Sequence, residues 1–212
     1  MRRLLITIAV LAALLIAADI GARILAQRVV ARQVQSSLNL TERPSVSLGG
    51  FPFLIHFAEG RFPSASAHAN GFRAEGFSFE SLQLSLQGLR FEPGKSLSGG
   101  KQDVTVTSGE GTAALTGSQA TAALRARGID ATVRFVGGKV LVRLAGLSRE
   151  VAATLSVSGR SLVIRSADPA LAGSFSITLP EIVNGLHFTG VAIEGSTAVI
   201  RFKLDHVDFR TG

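Results

Sequence analysis

The sequence predicts an α+β fold, mostly β: a strongly curved antiparallel sheet wrapped on a long N-terminal helix, with one or two short extra helices. Three observations carry this. An apolar run followed by an amphipathic stripe occupies the first 38 residues, the chain beyond Leu40 alternates apolar and polar residues with period two, and glycine-containing pairs interrupt that alternation at hairpin spacing. A sheet this long and apolar must curl and cover its inner face, either with the helix or with a bound apolar ligand.

At the start, Arg2 and Arg3 precede an apolar run from Leu4 to Ala18, the charged and hydrophobic regions of an export signal. The run is shorter than the roughly 18 residues of a spanning helix. Ala17 and Ala18 suit a signal peptidase while Ile16 departs from the Ala-x-Ala pattern, so cleavage and retention both stay open. A retained anchor places the rest of the chain outside the cytoplasmic membrane, because the basic end stays inside. Next, Ile20, Ile24, Ala31, Val34 and Leu38 fall on one helical stripe with Arg23, Arg28 and Arg32 off it. The stripe fits either packing on the sheet or lying at a membrane surface. The expected organisation is a signal peptide or anchor over 1–19, an amphipathic helix over 20–38 and a curved-sheet domain over 39–212.

Strands follow. Phe77 and Phe79, then Leu82, Leu84 and Leu86, alternate with polar residues as half-buried strands do. Asn70-Gly71, Gly137-Gly138, Gly159-Arg160 and Gly195-Ser196 each read as a hairpin turn between two such runs. Ser118 to Arg127 reads as a helix capped by Thr116 or Ser118 and stopped by Gly128, and a shorter one is expected from Pro180 to Asn184-Gly185. Gly94-Lys95-Ser96 imitates the end of a phosphate loop, but Leu89 stands where its first glycine belongs, and the segment reads as a turn.

Composition narrows the chemistry. There is no cysteine, which removes disulfides, thiolate nucleophiles and cysteine metal sites. The net charge of +7 is concentrated at the start, where residues 1–40 carry five Arg against Asp19. The remainder is only mildly basic, so no nucleic-acid partner is expected. The four histidines are scattered without metal-ligand spacing, and no G-x-S-x-G elbow is present. Asp205, His206 and Asp208 read as the solvated side of a strand. We expect no cofactor, no metal and no catalytic residues.

Eight of the 13 Phe lie between Phe51 and Phe91, while Trp and Tyr are absent. Phe offers apolar area with no polar handle, which suits contact with hydrocarbon. The cluster opens with Gly49-Gly50-Phe51-Pro52-Phe53-Leu54, where two glycines and a proline hold the backbone out of regular pairing and toward the surface. For each Phe, core packing and lipid contact both fit.

That Gly-Gly-Phe-Pro-Phe-Leu segment followed by Gly60 resembles the hallmark of the LmeA-like phospholipid-binding proteins of actinobacteria. Val104 to Ala114, the capped helix at Ser118, the Gly137-Gly138 hairpin and Leu179 to Leu186 are similar in order and spacing to that family. The resemblance implies a fold like the tubular lipid-binding proteins. It also implies a cell-envelope protein, exported or anchored, that binds phospholipid and supports assembly of lipid-linked mannan glycans. It carries no assignment of catalytic residues.

From these readings, acyl chains are expected in an apolar groove lined by Phe51, Pro52, Phe53, Leu54, Phe57, Phe62, Ile24, Leu82, Leu84 and Leu86. Arg23, Arg28 and Arg32 are expected to meet the phosphate or an anionic surface. The expected partners are phospholipid, the membrane surface and envelope glycosyltransferase machinery. A non-enzymatic scaffold that recruits glycan-assembly enzymes without carrying lipid is the alternative.

Overall fold

A computed structural model of the chain describes residues 2–38, 40–74, 76–98, 102–146, 149–166, 174–180 and 183–211. The apolar run and the amphipathic stripe form one uninterrupted helix, α1 (Arg2–Ser37), about 54 Å long at 1.5 Å per residue. Neither Asp19 nor Gly21 breaks it, so the expected division at 19/20 falls inside continuous helix. By length and composition the stretch Leu5–Ser37 is able to cross a membrane. The apolar run alone is too short, but joined to the next turns it is not.

Two antiparallel sheets follow. The larger has the order β1 (Ser45–Leu48), β2 (Arg61–Ala74), β3 (Phe77–Arg90), β4 (Gln102–Thr116), β11 (Thr197–Thr211), β10 (Leu186–Glu194). The smaller runs in chain order: β5 (Ala131–Val136), β6 (Lys139–Leu144), β7 (Val151–Ser158), β8 (Ser161–Ser166), β9 (Ser174–Thr178). Side chains from both sheets share one core, in which Phe72, Phe77, Leu115 and Ile200 of the larger sheet meet Val133, Leu162 and Ile177 of the smaller. Ala31 and Val34, from the second half of α1, and Leu38 just after it pack on or within the buried face.

The larger sheet bends along a single transverse line. In β2, β3, β4 and β11, the inward-facing residues step by three in one row, at Phe62/Ala65, Leu86/Leu89, Val106/Gly109 and Leu204/Val207. The extra residues are Pro63, Gly88, Thr107 and His206, which lie side by side across the four strands. Gly88 has φ +64° and His206 φ +47°, left-handed conformations that reverse the alternation. Because all four strands take the extra residue in one row, the pairing register is unchanged on either side. The row behaves as a bulge shared by four strands, bending the sheet where a lone bulge bends one strand. Beyond it Leu48, Phe53, Phe62, Leu89 and Val106 form a second core, against which Ala22 and Ala26 of α1 pack.

The hairpins at Gly137-Gly138, Gly159-Arg160 and Gly195-Ser196 form as expected. Asn70-Gly71 does not turn the chain. β2 continues through Gly71 at φ +66°, with Asn70 opposite Ser81 and Phe72 opposite Phe79, and pairing with β3 runs on to Ala74 opposite Phe77. The glycine supplies a left-handed residue inside a strand, and the burial of Ala69 and then Phe72 shows a reversed alternation there too. α4 (Gly117–Arg125) starts with a complete capping box, the Thr116 hydroxyl accepting from Gln119 N–H (3.3 Å) and the Gln119 side chain accepting from Thr116 N–H (2.9 Å). Gly94-Lys95-Ser96 lies in a short helix, α3 (Pro93–Ser98), rather than a turn; Pro93 at its first position is preorganised for helix. The helix expected from Pro180 falls partly on 181–182, outside the described residues, and 183–185 form a bend and turn.

Candidate functional site

The Gly-Gly-Phe-Pro segment projects a short helix, α2 (Phe53–Ala58), beside α1. Gly50 enters it at φ +102°, and a side chain there would strike the His56 ring, 2.5 Å from the Cβ position. The Phe51–Pro52 peptide is cis. Pro52 offers α2 no side-chain cap. The cap comes from α1 instead: Phe53 N–H donates to one carboxylate oxygen of Asp19 and Leu54 N–H to the other, each at 2.8 Å. Asp19 is 5% exposed. A charged acceptor for two backbone donors is among the stronger hydrogen-bond arrangements available, and it fixes α2 to the middle of α1.

This arrangement sorts the aromatic cluster. Phe53 and Phe62 are buried and stack at 5.2 Å between centroids, Phe62 stacks on Phe91 at 5.4 Å, and half-buried Phe57 meets Phe91 at 5.6 Å. Core packing thus holds for Phe53 and Phe62. Phe51, Leu54 and Ile55 point the other way, 65%, 44% and 53% exposed, and Pro52 is half-buried. Behind α2, Arg61 donates to Glu59 at 2.9 Å, and this hydrogen bond holds the Glu59 carboxyl below the usual carboxylate range. Arg61 also stands directly opposite Arg90 on β3, a like-charge pair on the outer side of the sheet.

Between the bend and the shared core lies an apolar strip. Leu82, Leu84 and Leu86 of β3 are half-buried, and their cross-strand neighbours on β2 are the small residues Ala69, Ala67 and Ala65. On β4 the neighbours are Ala113, Gly111 and Gly109. α1 packs over β1 and α2 rather than along β3, which leaves this row only partly covered. The strip over β4 is filled from within: a side chain at Gly111 would strike Phe202, and one at Gly109 would meet Leu86 and Leu204. On the β2 side the row is flanked by alanines, of which Ala69 is buried and Ala65 and Ala67 are half-buried.

Other recesses differ in character. An open apolar groove of about 420 Å³ lies where β10 approaches β6 and β7, lined in part by Val140, Ala153, Leu155, Val191 and Ile193. A much smaller recess, of about 40 Å³, lies under Val142, Ile164 and Phe175. The outer side of the sheet carries a polar saddle with Gln83, Glu110, Arg201 and Lys203. Among the described residues, no group of three or more His, Asp and Glu is placed to hold a metal ion.

On α1, Ile24 and Ile20 are exposed rather than packed on the sheet, as are Arg28 and Arg32, and Arg23 is half-buried. The face that packs carries Asp19, Ala22, Ala26, Ala31 and Val34, continued by Leu38 just beyond the helix. Small residues at Ala22 and Ala26 let the helix approach β1 closely enough for Gln27 to accept from Leu48 N–H (3.1 Å) and from Arg23 Nε (3.3 Å), in the amide orientation that satisfies both. The structure thus brings Phe51, Pro52 and Leu54 together at one end and Leu82, Leu84 and Leu86 in the middle, with the bend between them. Asp19 escaped the sequence reading, as did Arg61, Arg90 and the groove at β10. Asp19 did carry a signal, being the single charged residue between Arg3 and Arg23.

Neither the curated proteins nor the solved structures contain a match to the chain. A family model does match, that of LmeA-like phospholipid-binding proteins, over residues 17–203 of the 212. The matched span takes in Asp19, the Gly-Gly-Phe-Pro segment, the whole smaller sheet and the larger sheet as far as Lys203 of β11. The chain therefore belongs to the LmeA-like phospholipid-binding family.

Proposed function

We propose that the protein is exported and held at the outer side of the cytoplasmic membrane by α1, where it binds phospholipid acyl chains along the inner face of its larger sheet. In this role it supports assembly of envelope lipids and lipoglycans, mannans among them, in an actinobacterial cell envelope. The observation that carries the reading is the half-buried row Leu82, Leu84 and Leu86 beside the alanines of β2, an apolar strip that the helix and the second sheet cover only in part. Each methylene laid on such a strip contributes about 0.8 kcal/mol, so a single acyl chain needs few polar contacts to be retained. Arg28 and Arg32 are exposed on α1, and Arg61 and Arg90 face each other behind α2. Each can meet a phosphate or an anionic membrane surface for about 1 kcal/mol.

The filling of the strip over β4 by Phe202, Leu86 and Leu204 favours a second reading, a scaffold that recruits envelope glycosyltransferases and carries no lipid. Native mass spectrometry of the full chain released from detergent, with extraction of bound lipid, separates the two. The lipid-binding reading expects phospholipid at near one equivalent. Folded protein without phospholipid supports the scaffold.

A further inference from the structure

Charge along α1 divides it into segments of defined length. Between Arg3 and Arg23 lie 19 residues, about 28 Å of helix, which matches the roughly 30 Å hydrocarbon core of a bilayer. Arg3 then stands at the inner boundary and Arg23 at the outer. Asp19 lies four residues inside the outer boundary, about 6 Å into the leaflet by helical rise. An ionisable side chain at that depth is costly unless partnered. Here both carboxylate oxygens are taken by backbone N–H groups of α2, and the residue is almost fully buried.

The group that buries Asp19 is the same one that presents Phe51, Leu54 and Ile55 outward, within three residues of the two hydrogen bonds. On α1 itself, Leu15, Ile16 and Ile20 are exposed on the turns around Asp19. These apolar surfaces lie next to each other at one level of the helix. We infer that the α2 tip is a membrane wedge: Phe51, Leu54 and Ile55 enter the outer leaflet alongside α1. Asp19 bolts the wedge to the helix, and the wedge shields Asp19 from lipid. The partner is the bilayer, because the surface continues a helix long and apolar enough to cross one. A wedge at that level sets the bend, and beyond it the Leu82 to Leu86 row, directly above the lipids. The inference rests on the anchoring in the proposed function and not on lipid occupancy of the row, so an empty row leaves it standing.

The chain contains no Trp or Tyr, so one introduced Trp is a unique fluorescent reporter. Three single variants of the full chain, Phe51→Trp, Leu11→Trp and Val136→Trp, would be reconstituted into phosphatidylcholine/phosphatidylglycerol vesicles carrying bromine at defined acyl depths. Leu11→Trp, mid-helix, is expected to be quenched most by the deepest bromines. Phe51→Trp is expected to emit to the blue and be quenched at least twofold more by bromines near the head of the acyl chain than by aqueous iodide. Val136→Trp, exposed on the β5–β6 hairpin, reports the folded domain in water and should respond to iodide alone. Quenching of Leu11→Trp together with iodide-dominated quenching of Phe51→Trp would overturn the wedge while leaving the anchor intact. Absence of acyl quenching at Leu11→Trp would overturn the anchoring and the wedge with it.

Discussion

Asp19 caps a helix to which it does not belong, and replacing it with Ala strands two backbone donors at a buried contact. Hydrogen bonds to a charged group contribute about 1.5–3 kcal/mol each net of water, and water can reach the part-buried Leu54 N–H in the variant, so Asp19→Ala should cost about 2–4 kcal/mol of stability. Asp19→Asn, with one acceptor oxygen left, should cost about half as much. Denaturant titration of the full chain in micelles, followed by circular dichroism, measures both. At the bend, Gly88→Ala combines φ +64° with a Cβ 2.5 Å from the Thr107 hydroxyl oxygen and should cost about 1–3 kcal/mol. His206→Gly should instead stabilise by about 0.5–1 kcal/mol. It relieves a left-handed side chain worth roughly 1–2 kcal/mol and pays back part of that in unfolded-chain entropy. The same titration reads these two, and their opposite signs distinguish a conformational bend from ordinary packing.

For elements, the legible features are those written in local chemistry. Gly137-Gly138 turns a hairpin because both residues adopt left-handed φ, and Thr116 with Gln119 closes a capping box that its spacing announces. Loss of that cap in Thr116→Ala should cost about 1 kcal/mol, seen as a lowered thermal midpoint with unchanged strand content. What sequence patterns do not convey is the use of a signal for another purpose. Asn70-Gly71 carries hairpin residues, but its left-handed glycine reverses the alternation inside β2. The spacing Leu204 to Val207, and likewise Leu86 to Leu89, held the trace of the bend. Read strand by strand, each is an irregularity; only the alignment of four strands makes it a fold line. The boundary expected at 19/20 marks a change of composition within a helix whose backbone is continuous.

In the whole molecule, the bend, the clamped α2 tip and the half-covered row belong to one arrangement. The alanines of α1 pack against the second core beyond the bend, and its end closes on the shared core, while β3 is left partly open. The leucine row was legible because period-two alternation reports a half-buried face. The split of the Phe cluster was not, since Phe51 and Phe53 differ only in which side of a six-residue helix start they occupy. Converting Leu84 to Gln removes apolar contact from the centre of the row at a site already part-exposed. Phospholipid retention should fall about tenfold, the equivalent of 1.4 kcal/mol, with the fold intact, as scored by lipid retained per protein after gel filtration. The most direct measurement is photolabelling of the reconstituted full chain with a phosphatidylglycerol carrying a diazirine in its acyl chain, followed by peptide mapping. The account predicts label on β3, centred on Leu82 to Leu86, in addition to the membrane helix. Label confined to residues 4–22 and the α2 tip, with none on β3, would contradict it.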